Sequence, residues 1–280
     1  LPFISFRWAR LVVLLGLLSA TIVWAAETEH RRQARTRWER PIRVGIVLLA
    51  GEGAKVNADQ WRRGLDALSS RLDAEKRRWR GAGEPPFQFE IVGPFRWDGA
   101  FPLSPPSNRF ADRALHMLGL WRVLRDIDGV TGVDRSSWDV RLYVLGARIP
   151  GWDGSFAEGV GIQNGEVALV RGSAGGDIFL PLQVIGHELL HTVGASDKYD
   201  DGGHALEPEG LVEPERAPRY PQVHAEWMVG EVPVSPGSGR PPSSLDGLGV
   251  GPVTAREIGW ALPVRLASTS ARGPPGRGGD

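Results

Sequence analysis

The stretch HELLHTVGASDKYD, from His187 to Asp200, constrains this chain more than any other. Its two histidines are four residues apart. On an α-helix that spacing offsets them by only about 40°, so both imidazoles leave one face and can reach one ion. Glu188 sits on the shoulder of that face. There it is badly placed to ligate the same ion but well placed to take a proton from water, the general-base role in an HExxH pattern. The residues before it favour the helix. Pro181 suits a first turn, and Leu182, Ile185 and Leu189 recur at helical spacing toward a core. A catalytic zinc takes three protein ligands and keeps a fourth position open, so a third ligand must come from elsewhere. Asp197 is the nearest candidate. On a continuing helix it would lie about 240° round from His191 and about 9 Å further along, so the chain has to turn back. Gly194 stands where the helix must stop, and glycine allows the left-handed cap that a stop there requires. His204 and His224 are the other candidates for the third position.

The spacing HExxHxxGxxD, carried by His187, Glu188, His191, Gly194 and Asp197, resembles the zinc-binding consensus of the metzincin metallopeptidases. It is similar to the variant with Asp in place of the third His, as in snapalysin-like peptidases. The longer string ending in DKYD resembles a group of bacterial zinc metallopeptidases. The resemblance covers roughly residues 156–230. It implies an α/β (α+β) fold: a metzincin-like mixed twisted sheet with an active-site helix and an irregular C-terminal subdomain. It also implies one catalytic Zn2+ and a methionine turn below it, for which Met228 is the downstream methionine. The segment Phe156 to Val170 would then supply an edge strand for extended substrate. Several metzincins carry a tyrosine two residues after that methionine, whereas this chain has Gly230. Tyr199 and Tyr220 are the candidates to polarise a substrate carbonyl instead. Aspzincins pair HExxH with a later GTxDxxY motif that GASDKY echoes. Their aspartate comes further after the helix, so the metzincin spacing is favoured.

The N-terminus sets a second constraint. Arg7 and Arg10 precede an unbroken apolar or small run from Leu11 to Ala26. As a helix it would span roughly 24 Å, a little short of a bilayer core of about 30 Å. Val23 and Ala25 would suit cleavage after Ala25. Residues 1–26 are therefore expected to be a signal peptide or membrane anchor, placing the protein in the cell envelope. The basic stretch that follows favours the cytoplasm and counts against simple export. It is expected to form a linker, 27–40.

A metallopeptidase domain is expected over 41–267 and a disordered tail over 268–280. IRVGIVLL, FQFEIV and DVRLYVLG read as strands. Asn57 can cap a helix whose apolar stripe is Trp61, Leu65, Leu68, Leu72 and Trp79. Asn108 to Asp126 reads as a helix with Leu115, Leu118, Trp121, Val123 and Leu124 as its apolar positions. Asn164-Gly165, between alternating runs, is a hairpin signal. Thr254 and Glu257 read as a capping box. With strand, helix, strand, helix, strand, hairpin and helix in order, a mixed sheet with packed helices follows.

Composition narrows the function. The chain has no cysteine, which excludes disulfides, thiolate zinc sites and thiol catalysis. Its formal net charge is zero, so no global field draws it to nucleic acid. Its partners are expected to be peptide or protein substrates, and a membrane if the N-terminal segment is retained. The acidic residues Asp200, Asp201, Glu207, Glu209, Glu213 and Glu215 read as a solvated loop face, with a calcium site as the sharper alternative. The expected function is a zinc-dependent metalloendopeptidase. The alternative is a non-catalytic zinc-binding envelope protein that binds a partner peptide, for which a fourth protein ligand would be the sign.

Overall fold

The apolar run Ile42–Ala50 forms strand β1, and its side chains alternate between two cores. Val44, Ile46 and Leu48 enter one, Val47 and Leu49 the other. A strand buried on both faces has no solvent side, which is why its sequence is almost continuously apolar. The computed structural model describes residues 6–103, 109–147, 157–161, 165–173 and 177–261.

Strands β2 (Phe87–Arg96) and β3 (Val140–Ala147) flank β1 in parallel, and β5 (Val167–Ser173) lies parallel to β3. The five-stranded order is β2-β1-β3-β5-β4, with β4 (Ala157–Gly161) antiparallel at the edge. Parallel neighbours need long crossovers, and helices supply them. Helix α2 (Ala58–Arg80) joins β1 to β2, and α3 (Phe110–Thr131) joins β2 to β3. Asn57 caps α2 as expected, accepting from the amides of Asp59 at 3.0 Å and Gln60 at 3.2 Å. Trp61, Leu65, Leu68 and Leu72 of α2 share one core with Ile185 and Leu189 of α4 (Phe179–Thr192). Helix α3 covers the opposite face through Leu120 and Ile127. Of the apolar positions read from its sequence, Val123 and Leu124 pack partly buried against that core, whereas Leu115, Leu118 and Trp121 are exposed. That helix is apolar on most sides, and one flat sheet can bury only one of them.

The fold is thus mixed α/β: a mostly parallel sheet between helical layers. The β4–β5 pairing runs from Ala157↔Gly172 to Gly161↔Ala168, so its register is centred between Asn164 and Gly165. The Asn164 side of that expected turn lies outside the described residues, as does the tail 268–280.

At the N-terminus, α1 (Phe6–Arg37) is one helix, long and apolar enough to cross a membrane. Its apolar side chains from Leu11 to Val23 are exposed. Residues 27–37, read from sequence as part of a linker, continue the helix. Arg35 is buried and pairs with Glu166 at 3.5 Å. Trp38 then turns the chain with a left-handed φ of 59° and enters the core. Its ring lies 5.6 Å from both Phe87 and Trp260, and its Nε1 donates to the Ile258 carbonyl at 2.7 Å. The packed core therefore begins before Pro41.

Beyond α4 the chain is irregular. It holds two short ladders, β6 (Ala225–Glu226) with β9 (Leu248–Gly249) and β7 (Val232–Ser235) with β8 (Ser238–Arg240), and the six-residue helix α5 (Pro252–Glu257). The expected capping box does not form. Gly251 is the N-cap, Thr254 lies inside α5, and Glu257 ends it. Pro252 suits the first helical position, which moves the start of the helix two residues upstream of Thr254.

Candidate metal centre

Helix α4 carries His187 and His191 one turn apart and stops as its sequence requires. Gly194 has φ 109°. Its amide donates to the His191 carbonyl, and that of Ala195 to the Leu190 carbonyl, each at 3.0 Å. This is the Schellman arrangement, closed by a residue that needs no Cβ clearance. The turn sends the chain back across the helix end. Asp197 Oδ1 comes to 3.1 Å from His187 Nε2 and 3.2 Å from His191 Nε2, and the two Nε2 atoms are 3.1 Å apart. Among the described residues no other group of three His, Asp or Glu gathers its ligand atoms this closely.

The far side of each ring decides what the near side offers. His187 Nδ1 lies 3.1 Å from the Trp227 carbonyl, and His191 Nδ1 lies 2.8 Å from the Ala195 carbonyl. A carbonyl only accepts, so each Nδ1 carries a proton, and the neutral form of each ring presents an Nε2 lone pair to the cluster. Two lone pairs and a carboxylate oxygen then face one another, an arrangement that calls for a cation. Tetrahedral bonds of about 2.0–2.1 Å set ligand atoms roughly 3.3 Å apart, close to the spacing found here. His187, His191 and Asp197 therefore fit a small divalent cation.

Burial and charge act together on these groups. With protons in place of a metal on the two Nε2 atoms, burial alone would raise the Asp197 carboxyl, but hydrogen bonds from His187 and His191 outweigh it and hold the group well below the usual carboxylate range. Burial would lower His191, but Asp197 and the Ala195 carbonyl raise it above its ordinary value. Glu188 is raised, chiefly by burial, while the two imidazoles and the Gly161 amide pull the other way. Its Oε2 is buried with no hydrogen-bond partner among the described residues.

Glu188 owes its burial to β4. A Cβ at Gly159 would sit 2.5 Å from Glu188 Oε1, and one at Gly161 would sit 2.6 Å from Oε2. The edge strand thus packs on the glutamate with bare backbone. In the sequence these glycines look like ordinary strand interruptions, and only their alternation, EGVG, hints that one face must stay empty.

Below the helix, Glu226 to Gly230 form a tight turn. The Glu226 carbonyl accepts from the amides of Val229 at 3.0 Å and Gly230 at 2.9 Å. The Glu226 carboxylate, fully buried, accepts from the amides of Met228 and Gly251. Met228 is buried in this turn, and its carbonyl accepts from the Lys198 amide at 3.1 Å. The indole of Trp227 lies against Gly186, and its Nε1 donates to the Gln183 carbonyl at 3.1 Å. Trp227 is a residue that sequence reasoning missed. It acts through its carbonyl, which no side-chain motif reports.

Of the two tyrosines, Tyr199 is at the cluster, with its ring 6.4 Å from that of His187. Burial and its bond to Asp197 raise its pKa. Tyr220 instead bonds Glu207. His204 points toward Glu231, at 3.9 Å, and neither His204 nor His224 joins the cluster. The acidic loop residues do not converge either. Glu207 pairs with Arg219 and Glu213 with Arg216, each at 3.6 Å, and Asp200 accepts from the amides of Gly202 and His204.

No protein-family model matches the chain, and no curated protein matches it significantly.

Proposed function

We propose that this chain is a zinc-dependent metalloendopeptidase of metzincin type, attached to or exported across a membrane through α1. The observation that carries the proposal is the convergence of His187 Nε2, His191 Nε2 and Asp197 Oδ1 beside the buried Glu188 Oε2, which has no hydrogen-bond partner among the described residues. The antiparallel edge strand over α4 and the Met228 turn beneath it support the metzincin reading of the fold. Two imidazoles and one carboxylate, with carbonyls behind the rings, suit zinc.

Bound zinc supplies Lewis acidity, acidifying water and polarising a peptide carbonyl. The chain's own residues do the rest. The Trp227 and Ala195 carbonyls keep each ring in the tautomer that offers Nε2. Asp197 completes the donor set with a charge that the two histidines stabilise. Glu188 Oε2 takes a proton from the attacking water and returns it to the leaving amine, which its raised pKa favours. Burial under β4 keeps that carboxylate in low dielectric, where the transfer is worth more than in water. Tyr199, next to Asp197, is the better placed of the two tyrosines to steady the substrate carbonyl.

The test is cleavage of a quenched-peptide library by the full chain, with and without chelator, alongside Glu188→Ala. Zinc content is measured in both proteins. The reading requires one zinc per chain in each, chelator-sensitive cleavage in the wild type and none in the variant. Full activity in Glu188→Ala would refute the mechanism. Zinc without any cleavage would favour the peptide-binding, non-catalytic alternative.

A further inference from the structure

Asp197 is the one member of the cluster that no regular element holds. Its side chain is 44% exposed, and it follows the glycine turn at Gly194. A carboxylate in such a loop would ordinarily sample many positions. Its two neighbours, however, are both tied to one residue sixty positions downstream. The Ser196 amide donates to Glu257 Oε2 at 3.1 Å, and Ser196 Oγ donates to Glu257 Oε1 at 2.9 Å. Lys198 Nζ reaches the same two oxygens at 2.9 and 2.8 Å. It also donates to the Ser196 carbonyl at 2.7 Å and to Ser196 Oγ at 2.6 Å. The Lys198 side chain is only 4% exposed, so its ammonium has left water for the Glu257 carboxylate and the Ser196 oxygens.

The geometry has a direct consequence for Asp197. Ser196 and Lys198 are both drawn to Glu257, while the residue between them reaches the two histidines instead. The clamp is itself anchored. Ile258, next to Glu257, is buried, and its carbonyl accepts from Trp38 Nε1. The Gly259 carbonyl accepts from Arg80 Nη1 at 2.7 Å.

We infer that the Glu257–Lys198–Ser196 cluster is a positioning device that presents Asp197 to the metal, with Glu257 as its centre. None of the three is a ligand, and Glu257 lies far outside the HExxHxxGxxD string. The inference rests on the metal-centre reading of His187, His191 and Asp197.

The experiment is Co2+ titration of the full-length protein, followed by its visible ligand-field absorption and by calorimetry. Wild type is compared with Glu257→Gln, Ser196→Ala, the pair Lys198→Met with Glu257→Gln, Asp197→Ala and His191→Ala. The paired variant removes both charges, so no lone buried lysine confuses the result, and circular dichroism establishes that each variant is folded. Weakening by about 10- to 100-fold is expected for Glu257→Gln and the paired variant, the usual loss when a residue orienting a ligand is removed. Their Co2+ spectra should move toward that of Asp197→Ala, a change that general loosening of the fold would not produce. Wild-type affinity and spectrum in folded Glu257→Gln and in the folded pair, with binding lost in His191→Ala, would overturn the inference while leaving the metal centre intact. Absence of Co2+ binding by the wild type would overturn the metal-centre reading, and the inference with it.

Discussion

Substitution of Gly159 by alanine tests the packing of β4 on Glu188. The added methyl would lie 2.7 Å from both Glu188 Cγ and Val184 Cγ1, besides 2.5 Å from Glu188 Oε1. Carbon atoms in good contact are about 3.5–4.0 Å apart, so the methyl overlaps two carbons of α4 by about 0.8 Å. The glutamate tip can swing, but Val184 and Glu188 Cγ are held by the helix, so strand and helix must separate. Overpacking of this kind costs about 1–3 kcal/mol. Loss of unfolded-state entropy on replacing glycine returns roughly 0.4–1 kcal/mol. The net expectation centres on a destabilisation of about 1.3 kcal/mol, within a span of about 0–2.6, or roughly 3–5 °C in Tm for a domain of this size. Displacement of Glu188 approaching 1 Å should lower kcat by about 10- to 100-fold with zinc still bound. Gly161→Ala meets Glu188 Oε2 at 2.6 Å, the end of a side chain that can swing, and otherwise only the Glu188 carbonyl oxygen at 3.1 Å and His191 Cβ at 3.5 Å, so it should cost less stability. Gly119→Ala is the control. It lies within α3 with nothing within 4 Å of the new Cβ, and should gain about 0.5–1 kcal/mol. Thermal melts and peptide-cleavage kinetics decide the matter. A Gly159→Ala protein as stable as wild type with unchanged kcat would refute the account of β4.

Zinc at one hundred times its Kd should stabilise the fold by about 2.7 kcal/mol, which corresponds to roughly 5–10 °C in a thermal melt; in Asp197→Ala that gain should largely vanish. Arg40 holds Asp139 in two hydrogen bonds of 2.7 Å and, with the Arg43 amide, keeps its carboxyl below the ordinary range despite burial. The folded-state pKa is lowered, so this stabilisation is full above about pH 4 and is lost as pH falls through the folded-state value. Asp139→Asn should therefore lose about 1 kcal/mol at pH 7 and show a shallower acid limb in urea midpoints measured against pH. Asn57→Ala removes the cap of α2 and should cost about 1 kcal/mol in urea denaturation, with no change in metal affinity.

Much of this protein is decided by short-range geometry, and that part is legible in its residues. Four-residue spacing on a 3.6-residue helix puts His187 and His191 on one side whatever surrounds them. A glycine that accepts positive φ ends that helix at residue 194. Unbroken apolar runs mark strands buried on both faces, and Asn57 caps α2 through contacts two and three residues away.

What only the tertiary structure decides depends on contacts between distant segments. The carbonyl behind His187 belongs to Trp227, forty residues on, and backbone atoms leave no mark in a motif. Gly159 and Gly161 owe their role to a helix that packs beneath them. Thr254 and Glu257 have the spacing of a capping box, yet Pro252 starts the helix earlier and the buried Lys198 claims Glu257. Arg35 and Trp38 look like part of a basic linker until Glu166, Phe87 and Trp260 surround them. Local periodicity aims the two histidines, but the direction of Asp197 follows from a salt bridge that exists only once α5 has packed against the core.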